Sequence, residues 1–304
     1  MNETASERER TPVPDDAGPG GAEPTDGDST PDAEALRRAH GRPRGLAAGL
    51  RIAWRIPALT LVTLGIYLAW LLTGLLGGLR TRAGRAGHFA LTRTWARACC
   101  GVLGVRIELR GEPPAFAALL ACNHVSYLDI VVLMTRVRGV FIAKSEIASW
   151  PVLGFLARTT GTIFVDRRRR SDVGRVNELA ERALRRDVCV VLFPEATSTR
   201  GARVQPFKAS IFEVAARTGL PVRAASLAYR TPPNGPPADL AVCWWGDMPF
   251  FGHFLGLLGL PSVHALLTFS DQVTTGADRK NLAERAQRSV EAIFTPTSSG
   301  LPTR

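Results

Sequence analysis

Residues 117–129 read AALLACNHVSYLD. The apolar run Ala117 to Ala121 is too short for a buried helix and has the length of a strand covered on both faces. It ends abruptly in the polar pair Asn123-His124, and Ser126 and Asp129 then stand at the N-cap and N3 spacing of a capping box. The stretch therefore predicts strand, turn and helix, the repeating unit of an α/β sheet, with a histidine where such sheets build their sites. Capping alone accounts for Ser126 and Asp129. A carboxylate at Asp129 could also reach back to the His124 imidazole, fix its tautomer and leave the other ring nitrogen to take a proton.

Outward from this unit the pattern repeats. Short β-rich runs fall at Val105 to Glu108, Val140 to Ala143, Thr162 to Val165, Val188 to Phe193, Val222 to Ala228, Leu240 to Trp244 and Ala265 to Phe269. Between them Val173, Val176, Leu179, Ala180, Ala183 and Leu184 recur at helical spacing, as do Leu282, Ala286, Val290 and Ile293. The alternation predicts an α/β fold: a central mixed sheet flanked by helices, with an N-terminal membrane-associated helix.

Two more of these runs end in chemistry. Gly161 to Val165 is followed by Asp166 and Arg167, and a guanidinium there could pair bidentately with a phosphate; Arg168 to Arg170 read better as a solvated basic helix start. Val190 to Phe193 is broken by Pro194 and continues Glu195-Ala196-Thr197-Ser198, a carboxylate and hydroxyls that suit a polyol substrate better than a core. Leu220-Pro221-Val222 opens a strand with a proline, where the missing N–H does no harm.

The ends of the chain differ from this middle. Residues 1–35 carry ten acidic and two basic side chains among Pro, Gly, Ser and Thr, so residues 1–48 read as a disordered acidic tail and linker. The net charge is nevertheless +11, so the remainder is strongly basic, almost wholly through arginine. Such a surface suits phosphate-bearing partners, an anionic membrane among them. Ile56 to Leu79 is uncharged throughout and flanked by arginines, long enough to cross a bilayer as a helix; residues 49–84 are expected to be the membrane-associated segment. Arginine on both flanks leaves topology open, and a tilted span and a re-entrant hairpin near Gly74, Gly77 and Gly78 are both compatible. Residues 85–296 form the expected catalytic domain and 297–304 a frayed terminus. The five cysteines form no C-x-x-C pair, which indicates neither a disulfide framework nor a zinc site and fits a membrane location with the domain at the cytoplasmic face.

Taken together, these segments resemble the glycerolipid acyltransferases, whose best-known members are the 1-acylglycerol-3-phosphate acyltransferases. Four family blocks occur in order: Asn123-His124 with Asp129, Gly161 to Arg167, Phe193-Pro194-Glu195 with Thr197, and Leu220-Pro221-Val222. Ala143-Lys144 with Glu146 and Phe207-Lys208 support them. The resemblance implies that His124 is the base and Asp129 its partner, and that Asn123, Lys144, Arg167, Glu195, Thr197 and Lys208 bind substrate. It implies acyl transfer from acyl-CoA or acyl carrier protein to a lysolipid hydroxyl, without cofactor, with 1-acylglycerol-3-phosphate as acceptor and lyso-ornithine lipid as the alternative. Two departures bear on the acceptor: Ala196 stands where the family usually has glycine, and Ser198 where it has arginine. The stretch Trp244 to Met248 resembles bacterial branches that include lyso-ornithine-lipid acyltransferases.

Rival readings are a serine hydrolase through Ser126, a thiol acyl-enzyme through Cys122, and a basic membrane-anchored module without catalysis. No G-x-S-x-G elbow supports the first. A cysteine at a strand end is more often packing than nucleophile, and a plain module leaves four polar strand ends without a purpose. His40, His88, His253 and His264 fall in no metal-ligand spacing, and no nucleic-acid motif is present.

Overall fold

The computed structural model describes residues 45–75, 81–166 and 170–297. Its framework is a seven-stranded mixed sheet in the order β1-β7-β6-β2-β5-β3-β4. The strands are β1 (Val105–Arg110), β2 (Leu119–Cys122), β3 (Gly139–Lys144), β4 (Ile163–Val165), β5 (Cys189–Leu192), β6 (Val222–Arg230) and β7 (Val263–Thr274). All neighbours are parallel except β6 and β7. Strands β2 and β5 are buried at every position, as their unbroken apolar runs require when both faces are covered.

One face packs against α2 (Arg82–Leu103), α3 (Leu128–Met134) and α8 (Phe250–Gly259), around Leu120, Cys122, Leu227, Tyr229 and Leu267. The other packs against α5 (Arg170–Leu184), α6 (Glu213–Thr218) and α9 (Arg279–Glu291), around Leu119, Ala121, Val190, Leu192 and Ala224. A short helix α4 (Leu153–Thr159) precedes β4, and α7 (Ala238–Ala241) follows β6.

Seven of the eight expected strands form; Leu240 to Trp244 does not. Pro237 caps α7 instead, and the main chain beyond it bonds to a loop rather than a strand: Trp244 N donates to Val125 O at 2.9 Å, and Val242 O accepts from Ser126 Oγ at 2.6 Å. The segment reads as a strand because it is apolar and buried, but its hydrogen bonds go elsewhere.

The apolar N-terminal segment is helix α1 (Leu46–Leu75), which starts ten residues before the uncharged run and spans about 45 Å. It is long and apolar enough to cross a membrane, and only 6% of its most apolar 18-residue window is buried. Leu50, Leu61, Leu64, Leu68 and Leu75 are exposed. Its first turns are fastened to the domain. Arg55, itself buried, donates to Leu258 O at 2.9 Å and Leu260 O at 2.6 Å, and Arg51 donates to Gly259 O at 2.8 Å. These guanidiniums satisfy carbonyls that α8 leaves unpaired at its C-terminus, where its dipole is negative. Helix α2 runs along α1 through Trp95 Nε1 to Thr63 Oγ1 (3.1 Å) and a Trp70 and His88 stack. Helix α2 thus packs on both α1 and the sheet.

Candidate active site

The C-terminal ends of the adjacent parallel strands β2, β5, β3 and β4 lie along one edge of the sheet, so the polar residues after each are gathered there by topology. His124 follows β2 and Asp129 lies in the first turn of α3. The His124 Nδ1 lies 2.7 Å from Asp129 Oδ2. The same oxygen accepts from the main-chain N–H of Val125 at 2.8 Å and of Ser126 at 3.0 Å, and Oδ1 accepts from the Tyr229 hydroxyl at 2.8 Å. The cap and the imidazole partner are thus one carboxylate, fully buried and saturated with donors.

An acceptor so placed requires that Nδ1 carry the proton, which leaves a lone pair on Nε2. The ring lies flat on Phe193, centroids 4.0 Å apart, and its side chain is one-fifth exposed. Among the described residues nothing bonds to Nε2. The arrangement can remove a proton from a hydroxyl brought to that nitrogen and hold the resulting imidazolium against Asp129.

Glu195 sits behind this histidine. Its Oε1 accepts from His124 N at 3.0 Å and it also meets the main chain of Gln205, while Oε2 is buried with no partner among the described residues. Burial pushes the carboxyl up to about 8, opposed by the two main-chain bonds and reinforced by the Asp129 charge. Burial thus favours the protonated carboxyl, and the side chain braces the turn that carries His124. The expected contact with a polyol is not open to it here, because the side chain is buried. Asn123 differs from expectation in the same way. Its Nδ2 donates to Leu227 O at 3.0 Å and its Oδ1 accepts from Leu227 N at 2.8 Å, so the amide prolongs the pairing of β2 with β6. Its amide is buried and spent on that pairing rather than turned to the open edge.

Thr197 is exposed, with Oγ1 3.5 Å from Ser198 O. Lys144, at the end of β3, and Lys208, whose N–H donates to Pro194 O at 2.9 Å, are exposed at the same edge. Arg167 lies outside the described residues. Arg200 points away from a substrate role: it pairs with Asp239 at 2.9 Å and lies over the Trp245 ring. Ala196 holds φ at 68°, the left-handed region that a glycine would enter without strain.

The rival nucleophiles are closed off. Ser126 is buried and donates to Val242 O. Cys122 is buried, and burial with the Asp129 and Glu195 charges raises its thiol far above the ordinary value, which starves it of thiolate. Among the described residues no group of three or more His, Cys, Asp or Glu side chains is placed to hold a metal. Two contributors were not singled out by the sequence. Tyr229 sits in an apolar strand where its polar use is invisible, and Thr199, whose N–H donates to His124 O at 2.9 Å, lies among hydroxyls with no spacing to single it out. Phe193, quoted only as part of a motif, directly follows β5 and stacks on the His124 ring.

The family model described as Acyltransferase matches residues 106–227. The chain is 34% identical to the lyso-ornithine lipid O-acyltransferase of Rhodobacter capsulatus over 227 residues, 72% of this chain and 80% of that protein. It is 36% identical to the 1-acyl-sn-glycerol-3-phosphate acyltransferase of Neisseria meningitidis serogroup B over 158 residues, 49% of this chain and 62% of that protein. The crystal structure of the 1-acyl-sn-glycerophosphate (LPA) acyltransferase from Thermotoga maritima superposes with a TM-score of 0.54 at 19% identity, covering 80% of this chain and 97% of that one. At that identity the likeness concerns the fold.

Proposed function

The chain belongs to the acyltransferase family, and on that premise we propose that it moves a fatty acyl group from a thioester donor, acyl-CoA or acyl carrier protein, to the hydroxyl of a lysolipid. The observation that supports this most is the His124 and Asp129 pair with Nε2 free at an open strand edge. His124 takes the hydroxyl proton as the oxygen adds to the thioester carbonyl, Asp129 holds the imidazolium, and the tetrahedral centre collapses with loss of the thiolate, which recovers a proton from His124. No covalent enzyme intermediate is needed, in keeping with the burial of Ser126 and Cys122.

The apolar helix α1 and relatives that act on membrane lipids point to membrane association. In our reading α1 holds the domain against the cytoplasmic face of the bilayer, so that a lysolipid presents its hydroxyl to the His124 edge without leaving the membrane. Residues 85–296 carry the catalysis, and Lys144, Lys208, Arg167 and Thr197 meet the phosphate or headgroup portions of the substrates.

For the acceptor we favour lyso-ornithine lipid. Ser198 stands where an acceptor-binding arginine is usual, and Arg200, the nearest replacement in sequence, is already paired with Asp239. A dianionic phosphomonoester would lose a charge-assisted contact, roughly tenfold to a hundredfold in affinity. Lysophosphatidate is the second reading, supported by the exposed Lys144 and Lys208. A competition assay offering both lysolipids to the purified enzyme decides between them. Lyso-ornithine lipid should be acylated in preference, and Ser198→Arg should shift use toward lysophosphatidate. Exclusive acylation of lysophosphatidate would reverse the assignment, and acylation of neither would remove the lysolipid reading.

A further inference from the structure

A second basic feature lies across β6, β7 and β1, on the face of the sheet opposite the one from which Tyr229 meets Asp129. In register, Arg230 of β6 stands beside His264 of β7, and His264 beside Arg106 of β1. In-register partners point to one face, so the three side chains form a row across the sheet. Tyr229 and Ala265, one position along, belong to the opposite face, where Tyr229 reaches Asp129. The row lines a cleft of about 320 Å³ together with Thr231, Pro232, Ser262 and Val263.

Arg106 and Arg230 stand on either side of β7, with His264 between them. Among the described residues neither the Arg106 nor the Arg230 side chain has a hydrogen-bond or ion-pair partner, and no carboxylate lines the cleft. The nearest acid along β1, Glu108, lies 2.7 Å from Arg110 and 3.5 Å from His264, so it is shared away from both arginines. Ser262 directly follows Pro261, whose carbonyl accepts from Arg55 at 3.4 Å, so the cleft opens beside the root of α1. Two unpaired guanidiniums flanking a cleft are suited to an anion with several oxygens, which each can take up bidentately.

We propose that this cleft binds the phosphate ester of an anionic lipid headgroup, a site separate from the acceptor site and placed where α1 meets the membrane surface. The lipid source rests on the reading of α1 as membrane-associated; the anion site itself rests only on the arginine row. A guanidinium at each end would clamp the phosphodiester while the Ser262 hydroxyl donates to a third oxygen. The bound lipid would fix the orientation of the sheet edge relative to the bilayer.

The test is calorimetric titration of the full chain in non-ionic detergent with dihexanoylphosphatidylglycerol, dihexanoylphosphatidylcholine and 3′,5′-adenosine bisphosphate. A soluble short-chain lipid needs no membrane, so this outcome is independent of how α1 sits and of which lysolipid is acylated. We expect saturable binding of the phosphatidylglycerol, weakened about tenfold or more in the Arg106→Gln, Arg230→Gln pair and less than about twofold in a charge-matched pair, Arg182→Gln, Arg186→Gln, on α5 and its exit. The Arg106→Lys, Arg230→Lys pair keeps the charge but loses the fork, and should also weaken binding; it covers the case in which the glutamine pair fails to fold. Equal losses in the row and in the α5 control would reduce the effect to unspecific charge and overturn the site. Tighter binding of the nucleotide than of the lipid would overturn the lipid assignment, and no saturable binding of any probe would overturn the proposal.

Discussion

Tyr229 donates its phenolic hydrogen to Asp129 Oδ1 at 2.8 Å, from the C-terminal end of β6 and one hundred residues along the chain. Both residues are buried, so the bond ties the partner of the candidate base to the centre of the sheet. Asp129 is thereby held from three sides: by α3's own turn, by the His124 ring and by β6. Removing the phenol leaves a buried carboxylate oxygen without its donor, a loss worth about 1.5 to 3 kcal/mol for a charged acceptor.

Tyr229→Phe should therefore lower kcat by roughly tenfold to a hundredfold while KM for the lysolipid changes little, since the phenol touches no substrate. Steady-state kinetics on a variant whose melting curve is checked separately measures this. A raised KM with kcat intact would mean that Tyr229 shapes the binding site rather than the base.

Glu195 supplies a pH signature. Its carboxyl titrates near 4.5 ordinarily and is pushed up to about 8 in the fold, chiefly by burial. The folded state thus holds a proton that the unfolded chain releases. The stability this confers is fully present below about pH 4.5 and is lost as pH rises through about 8, by an amount on the order of a few kcal/mol. Glu195→Gln keeps an oxygen for His124 N and removes the titration. Melting curves from about pH 5 to 9 should show wild type losing stability relative to Glu195→Gln as pH rises; parallel curves would mean that the carboxyl is ionised in the fold.

Ala196→Gly tests the strain at φ 68°. A left-handed alanine costs about 1 kcal/mol that glycine avoids, set against glycine's larger loss of backbone freedom on folding. The net expectation is a gain in melting temperature of up to roughly 2 to 4 °C. A fall in melting temperature would show that the alanine methyl packs usefully in the turn.

Strands β2 and β5 could be read because both faces are buried and their sequences are unbroken apolar runs. The pairing of His124 with Asp129 could be read because it is local: the capping geometry that fixes the first turn of α3 also aims the carboxylate. Asn123 and Glu195 were legible as residues of the site but not in their use. Sequence shows a polar residue at a strand end, whereas the direction of its side chain depends on segments 104 and 71 residues away, Leu227 for Asn123 and the His124 turn for Glu195. Leu240 to Trp244 misled for a related reason, since burial without sheet pairing leaves the same apolar imprint as a strand. Tyr229 could not have been singled out, because one aromatic in an apolar strand carries no mark of the carboxylate it meets.

The central claim is that His124 acts as the base in direct transfer, and acyl transfer by purified His124→Ala measures it most directly. With labelled donor and lysolipid, the variant should lose about a hundredfold to ten-thousandfold in rate while its melting temperature stays near wild type, and no label should be retained covalently on wild-type protein. Retention of more than about a tenth of wild-type activity, or trapping of an acyl group on Ser126 or Cys122, would contradict the account.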